Sequence, residues 1–222
     1  MEGRFMRTLW TTLVLLFACS SFGCVGVTSH LMFWLQGVRV DPEFRGLNDK
    51  RVALICMSDA APYGPDLATQ MLTKRISKKL IGEIKRINLI SRNEIENWID
   101  NHDWDQIDYL EIGKGVNADI VIAVELENYS LQEGSSLYRG TTNYSVHVYD
   151  LSESNNRQTS PVYEKGPVEY AFPKDHPISS IGVSQRKFEE MFINELGQQV
   201  GNYFTGYEMP DNIAREGSQS RH

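Results

Sequence analysis

The chain has 222 residues, 41% hydrophobic and 23% charged, and a formal net charge of −7 at pH 7. That is enough apolar content for one domain with its own core, and the acidic balance excludes the basic patch of a nucleic-acid binder or a polybasic lipid-binding run. Cys19 and Cys24 sit near the amino terminus, so Cys56 has no partner for an internal disulfide in the rest of the chain.

At the amino terminus Arg4 and Arg7 precede the apolar segment Leu9 to Ala18, and Ser20, Ser21 and Gly23 lead to Cys24. This basic, apolar, small order is that of a secretory signal. The run Ser21-Phe22-Gly23-Cys24 resembles a bacterial lipobox, in which cleavage precedes a cysteine that then carries lipid. Ser21 stands where Leu is usual. Cys19 is the alternative, with Leu16 three residues before it and Ala18 beside the cut, but it lies close behind the apolar run. An uncleaved anchor is the other route, since Leu9 to Val27 approaches the about 20 residues a bilayer span takes, diluted by Thr11, Thr12, Ser20 and Ser21. Each route leaves the remaining chain in the cell envelope, tethered to a membrane and facing the periplasm, with inner and outer membrane both open. Cleavage before Cys24 removes Glu2, Arg4 and Arg7, leaving 199 residues with 20 basic and 28 acidic side chains, a net charge of −8.

Residues 24–49 read as a tether, residues 50–204 as the folded domain and residues 205–222 as a disordered tail with little to bury. Within the tether, Leu31, Met32, Phe33, Trp34 and Leu35 stand in a row before the breaker Asp41-Pro42. Phe33 and Trp34 suit folding back on the domain, the lipid interface, or docking of a partner.

Lys50 to Ser58 reads as a buried strand containing Cys56. Pro65 suits a first helical position with Asp66 in the first turn, and Leu67, Met71, Leu72, Ile76 and Leu80 give a helix its apolar face. Arg86 to Ser91 reads as a second strand. Ser91 with Glu94 forms a capping box for a helix through Ile95, Trp98 and Ile99, and Asp105 is the expected cap of the next helix. Tyr109 to Leu126 then organises the chain, a short helix feeding the apolar run Ile120 to Val124 of a central strand. After a loop at Ser130 to Ser136, Leu137 to Asp150 alternates, with Tyr138, Thr142, Tyr144, Val146 and Val148 on one face and Arg139, Asn143, Ser145 and His147 on the other. A polar loop, Ser152 to Ser160, separates it from Val162 to Phe172, which Gly166-Pro167 places at an edge or a bulge. A closing helix spans about Val183 to Phe204, burying Phe188, Met191, Phe192, Leu196, Val200 and Tyr203. The order predicts an α/β (α+β mixed) fold with a single mixed β-sheet of about five strands, flanked by helices and closed by a long C-terminal helix.

The strand KRVALI, the sequence RINLISRNEIENW, the segment IGKGVNADIVIAVEL and the strand LYRGTTNYSVHVYDL together resemble bacterial envelope proteins carrying the amino-terminal domain of the translocation protein TolB. The same domain occurs in the curli-secretion lipoprotein and in lipoprotein activators of peptidoglycan synthases. The resemblance covers about Lys50 to Phe204. It implies a non-catalytic domain that binds other envelope proteins or associates with itself, and it supplies no catalytic residue. A curli-type pore is not expected, because pores need long amphipathic membrane hairpins and the links here are short and polar.

Other chemistry finds little support. Gly113, Lys114, Gly115 and Ala118 spell G-x-G-x-x-A, but a dinucleotide fingerprint needs a strand before it and a helix after it, the reverse of the order here. Gly115 fits a helix end instead, no G-x-x-x-x-G-K-S/T loop is present, and no nucleotide or other cofactor is expected. Asp100, His102, Asp103, Asp105 and Asp108 offer carboxylates to a hard cation yet lack EF-hand spacing, and read as a solvated loop with helix caps. His147 and Asp150 point to opposite faces of one strand, and no G-x-S-x-G elbow exists. Tyr63, at the tip of Asp59 to Asp66, is the candidate anchor for a protein partner. The leading expectation is therefore a lipid-anchored adaptor contacting envelope proteins. A secreted ligand- or metal-binding domain or enzyme built on Asp100 to Asp108, and a self-assembling structural lipoprotein, are the alternatives.

Overall fold

The structure, a computed structural model, describes residues 39–59, 66–102, 108–151 and 160–208. Residues 41–206 form one compact unit, and a second unit contains residues 1–40 and 207–222. In the second unit β1 (Arg39–Val40) pairs antiparallel with β8 (Tyr207–Glu208), so the stretch expected to be tail begins with strand. The signal, Cys19, Cys24, Phe33, Trp34, Tyr63, Asp103 and Asp105 all lie outside the described residues.

The main unit is a mixed sheet between two helical layers. Its strands are β2 (Arg51–Ser58), β3 (Asn88–Leu89), β4 (Ile120–Gln132), β5 (Leu137–Asp150), β6 (Tyr163–Phe172) and β7 (Ile178–Ser179), in the order β3-β2-β4-β5-β6 with β7 also on β5. β2 runs parallel to β3 and β4, while β5 is antiparallel to β4, β6 and β7. The change of direction follows from the connections. Helices α1 (Leu67–Glu83), α2 (Arg92–Asp100) and α3 (Tyr109–Gly115) supply crossovers, whereas short links join β4, β5 and β6. Helix α4 (Gln185–Thr205) closes the chain, and among the described residues no helix is long and apolar enough to cross a membrane.

The period of two along each strand divides the core. Val52 and Leu54 of β2, Ile120, Ile122, Val124 and Leu126 of β4, and Tyr144, Val146 and Val148 of β5 face α1 and α4. Ala53, Ile55 and Val121 face Ile95 of α2 and Ile112 of α3. Leu72, Ile76, Leu80, Phe188, Phe192, Leu196 and Val200 have no exposed surface, each contributing about 1.5–3 kcal/mol of burial. The α4 seam is wider than the sequence period suggests. Ile193, Gly197 and Gly201 are buried and Met191 is only half-buried, because Gly197 and Gly201 let the stems of Arg75 and Lys79 on α1 lie directly on the α4 backbone.

Several local expectations change. Asp66 is the N-cap of α1, accepting from the Thr69 amide, rather than a first-turn residue. Leu67, at the first helical position and outside the later contacts, is 48% exposed, while Ala68 and Thr69 take the buried side. The cap of α3 is Asp108, whose Oδ1 accepts from the Leu110 and Glu111 amides at 2.9 and 3.1 Å. Asp108 is the residue next to the first turn, where its carboxylate reaches both amides. β3 is two residues rather than six, and β4 runs on to Gln132 through register shifts after Glu127 and Ser130. β6 is the edge strand and is bulged between the partners of Tyr144 and Val146. Gly166 there has φ +118°, and a Cβ would lie 2.6 Å from the Tyr144 carbonyl oxygen, so the bulge requires glycine.

Candidate interaction surface

Open α/β sheets bind ligands beyond the carboxyl ends of their strands, where the strand order reverses. Here α1 leads from β2 to β3 on one side and α2–α3 lead back to β4 on the other, so that place lies between β2 and β4. Asp59 bridges it. Its amide donates to the Leu126 carbonyl at 3.0 Å, and its Oδ2 accepts from the Asn128 amide at 2.8 Å. Asp66 already caps α1, and Glu189 accepts from the Tyr129 hydroxyl at 2.9 Å. Burial, then Glu189, then Asp66 push the Tyr129 hydroxyl up from its ordinary value. An incoming phosphate would meet the carboxylates of Asp59, Asp66 and Glu189, which disfavours an anionic ligand.

The glycine fingerprint serves packing. A Cβ on Gly113 would overlap Val121 and Leu151, and one on Gly115 would overlap the Trp98 indole. Gly115 is indeed the last residue of α3, but the left-handed residue after it is Asn117, at φ +54°. In the acidic loop, His102 stacks on Trp98 at 4.0 Å between ring centroids, its Nδ1 lies 2.7 Å from the Trp98 carbonyl oxygen, and Asp108 is spent on its cap. Among the described residues no three His, Cys, Asp or Glu side chains converge as a metal site. Cys56 packs against the core as a neutral thiol, its pKa pushed up to about 12 by burial.

The surface that is both polar and open lies on the other half of the sheet. α2 and α3 cover β2, β3 and β4 on this side, and Tyr109 reaches β5, its ring 6.2 Å from that of Tyr149. Beyond that pair the outward side chains are Glu125 and Glu127 of β4, Thr141, Asn143, Ser145 and His147 of β5, and Glu164 and Glu169 of β6. The register sets them in rows across the strands, Glu127 beside Asn143 beside Glu169, and Ala123 beside His147 beside Glu164. The Tyr109 hydroxyl donates to Glu125 at 2.8 Å, and His147 Nδ1 lies 3.8 Å from Glu164 Oε1. Burial, then Glu125, Glu164 and Asp108 in turn hold the Tyr149 hydroxyl above its ordinary value, so three carboxylates act on one phenol. The one arginine of this β5 face, Arg139, is drawn to Glu133 at 3.3 Å. The face is thus electronegative and half-exposed.

Sequence alternation foresaw the outward set Arg139, Asn143, Ser145 and His147. It missed Glu125, Glu127, Glu164 and Glu169, whose matching parity was visible but whose strand neighbours were not.

No protein-family model and no curated protein matches the chain. Solved structures similar to it include bacterial lipoproteins. A protein of Xanthomonas campestris is 11% identical, with a TM-score of 0.43, covering 82% of this chain and 95% of that one. Lipoprotein GNA1162 of Neisseria meningitidis is 9% identical, with a TM-score of 0.42, covering 68% and 98%. The PelC dodecamer of Paraburkholderia phytofirmans is 12% identical, with a TM-score of 0.40, covering 78% and 95%. At these scores the likeness is loose and bears on neither partner nor activity.

Proposed function

We propose that this chain is a membrane-anchored, non-catalytic lipoprotein of the bacterial envelope, related to the TolB amino-terminal-domain and curli-lipoprotein group, and that it acts as a protein-interaction module. The observation that carries the reading is the contrast between an acidic crevice, where Asp59 is bonded to β4 and its continuation, and the half-exposed polar face that the described residues form on β4, β5 and β6. Such a face suits a partner that brings hydrogen-bond donors and positive charge. The signal layout ending at Cys24 supports the tether, with Cys19 as the alternative lipid site, and Tyr63, Phe33 and Trp34 are further candidate contacts.

Intact mass and lipid labelling of the membrane-expressed protein test the anchor. Loss of lipid and of processing in Cys24→Ala, with Cys19→Ala unaffected, is the expected result. Retention of residues 1–23 without lipid would replace the lipid anchor by a spanning one, and clean cleavage without lipid would make the domain a soluble secreted one.

A further inference from the structure

A second charged surface lies on α1, on the side of the sheet opposite the electronegative face. Residues 67–86 carry six basic side chains, Lys74, Arg75, Lys78, Lys79, Lys85 and Arg86, against the single Glu83, in a chain whose net charge is −7. The sequence holds no uninterrupted basic run here, and the helix supplies what the run lacks. Lys74, Lys78 and Lys85 are exposed and make no ion pair among the described residues, whereas Lys79 is drawn to Glu83 and Arg86 to Asp49. Lys74, Lys78 and Ile81, which is 62% exposed, stand at helical spacing on the solvent side of α1, directly away from Leu72, Ile76 and Leu80, and Lys85 follows two residues beyond the helix end. An exposed aliphatic side chain framed by lysines on one helix is the pattern of a helix lying at a lipid surface.

We infer that the Lys74, Lys78 and Ile81 side of α1, with Lys85 just past its end, rests on anionic phospholipid headgroups, which turns the Glu125, Glu127, Glu164 and Glu169 face away from the membrane. Two observations join in this. The charge of the α1 stripe complements an anionic bilayer. The sheet layer places the four glutamates on the far side, where the same surface repels them, so both faces favour one orientation. The inference deepens the anchored reading and rests on it.

The test uses the full chain reconstituted on vesicles of phosphatidylcholine alone or with phosphatidylglycerol, with a fluorophore on Ile81→Cys or Glu169→Cys and brominated lipids as quencher. Cys19 and Cys24 are either lipidated or changed to Ala, and the half-buried Cys56 is changed to Ala in every labelled variant. Flotation on phosphatidylcholine alone reads the anchor. Quenching at position 81 that appears with phosphatidylglycerol, fades with salt and stays absent at position 169 is the expected result. Lys74→Glu, Lys78→Glu and Lys85→Glu together should abolish it. If the anchor fails, the inference still predicts flotation on phosphatidylglycerol vesicles at low salt, weakened by about a hundredfold or more in the triple variant. Equal quenching at 81 and 169, or binding indifferent to the three lysines, would overturn it.

Discussion

The two halves of the sheet are built from the same kind of alternating strand and end in opposite conditions. Around β2 and β4 both faces are buried, so Ile120, Val121, Ile122, Ala123 and Val124 are all apolar and none is exposed by more than 1%. Along β5 only every second residue is buried, and the outward ones are polar. The difference lies in the connections. Crossovers through α1, α2 and α3 wrap the parallel half in helices, whereas β4, β5 and β6 follow one another with no intervening helix among the described residues. The covered half gives stability, and the uncovered half is free to carry recognition.

Breaking the covered half should have the largest effect. Phe192→Ala, deep between α4 and Gly140 of β5, should lower unfolding free energy by about 3–5 kcal/mol in urea titration, with the far-ultraviolet spectrum retained at low denaturant. Cys56 sharpens the same point through pH. Its thiol ionises near 9.0 when unfolded and about 12 when folded, so the unfolded state loses the proton first. Its contribution is therefore fully present below pH 9.0 and is lost as pH rises toward 12, a fall of up to about 1.4 kcal/mol per pH unit that Cys56→Ala should flatten. Gly115→Ala should cost about 1–3 kcal/mol by thermal or urea melts, because the added methyl must displace the Trp98 indole. On the open face, Asn143→Ala and Glu164→Gln should each change stability by less than about 0.5 kcal/mol while weakening partner capture. A large loss of stability in those two variants would erase the distinction between the halves.

The covered half was legible in the sequence because its signals are local. The apolar run Ile120 to Val124 and the Ser91 cap of α2 each specify their element without reference to anything distant. What escaped depends on neighbours far along the chain. The burial of Gly197 and Gly201 requires Arg75 and Lys79 of another helix, and the two-residue strands β1, β7 and β8 exist only through their partners. The cap at Asp108 rather than Asp105 is the usual failing at element boundaries, since several aspartates in a row offer equivalent carboxylates. The open face was half legible. Parity identified its β5 residues, but the glutamates of β4 and β6 join them only once the register is known, and the lysines of α1 form a stripe only once the helix is wound.

Site-specific photocrosslinking in the cell tests the central claim most directly. A photoreactive residue is placed at Asn143, Glu164 or Glu169 on the open face and at Asn97, exposed on α2, as the control. The account predicts crosslinks from the three sheet positions to one and the same envelope protein, with none from Asn97. Crosslinks from Asn97 alone, or sheet positions that react with nothing while the protein is folded and anchored, would contradict it.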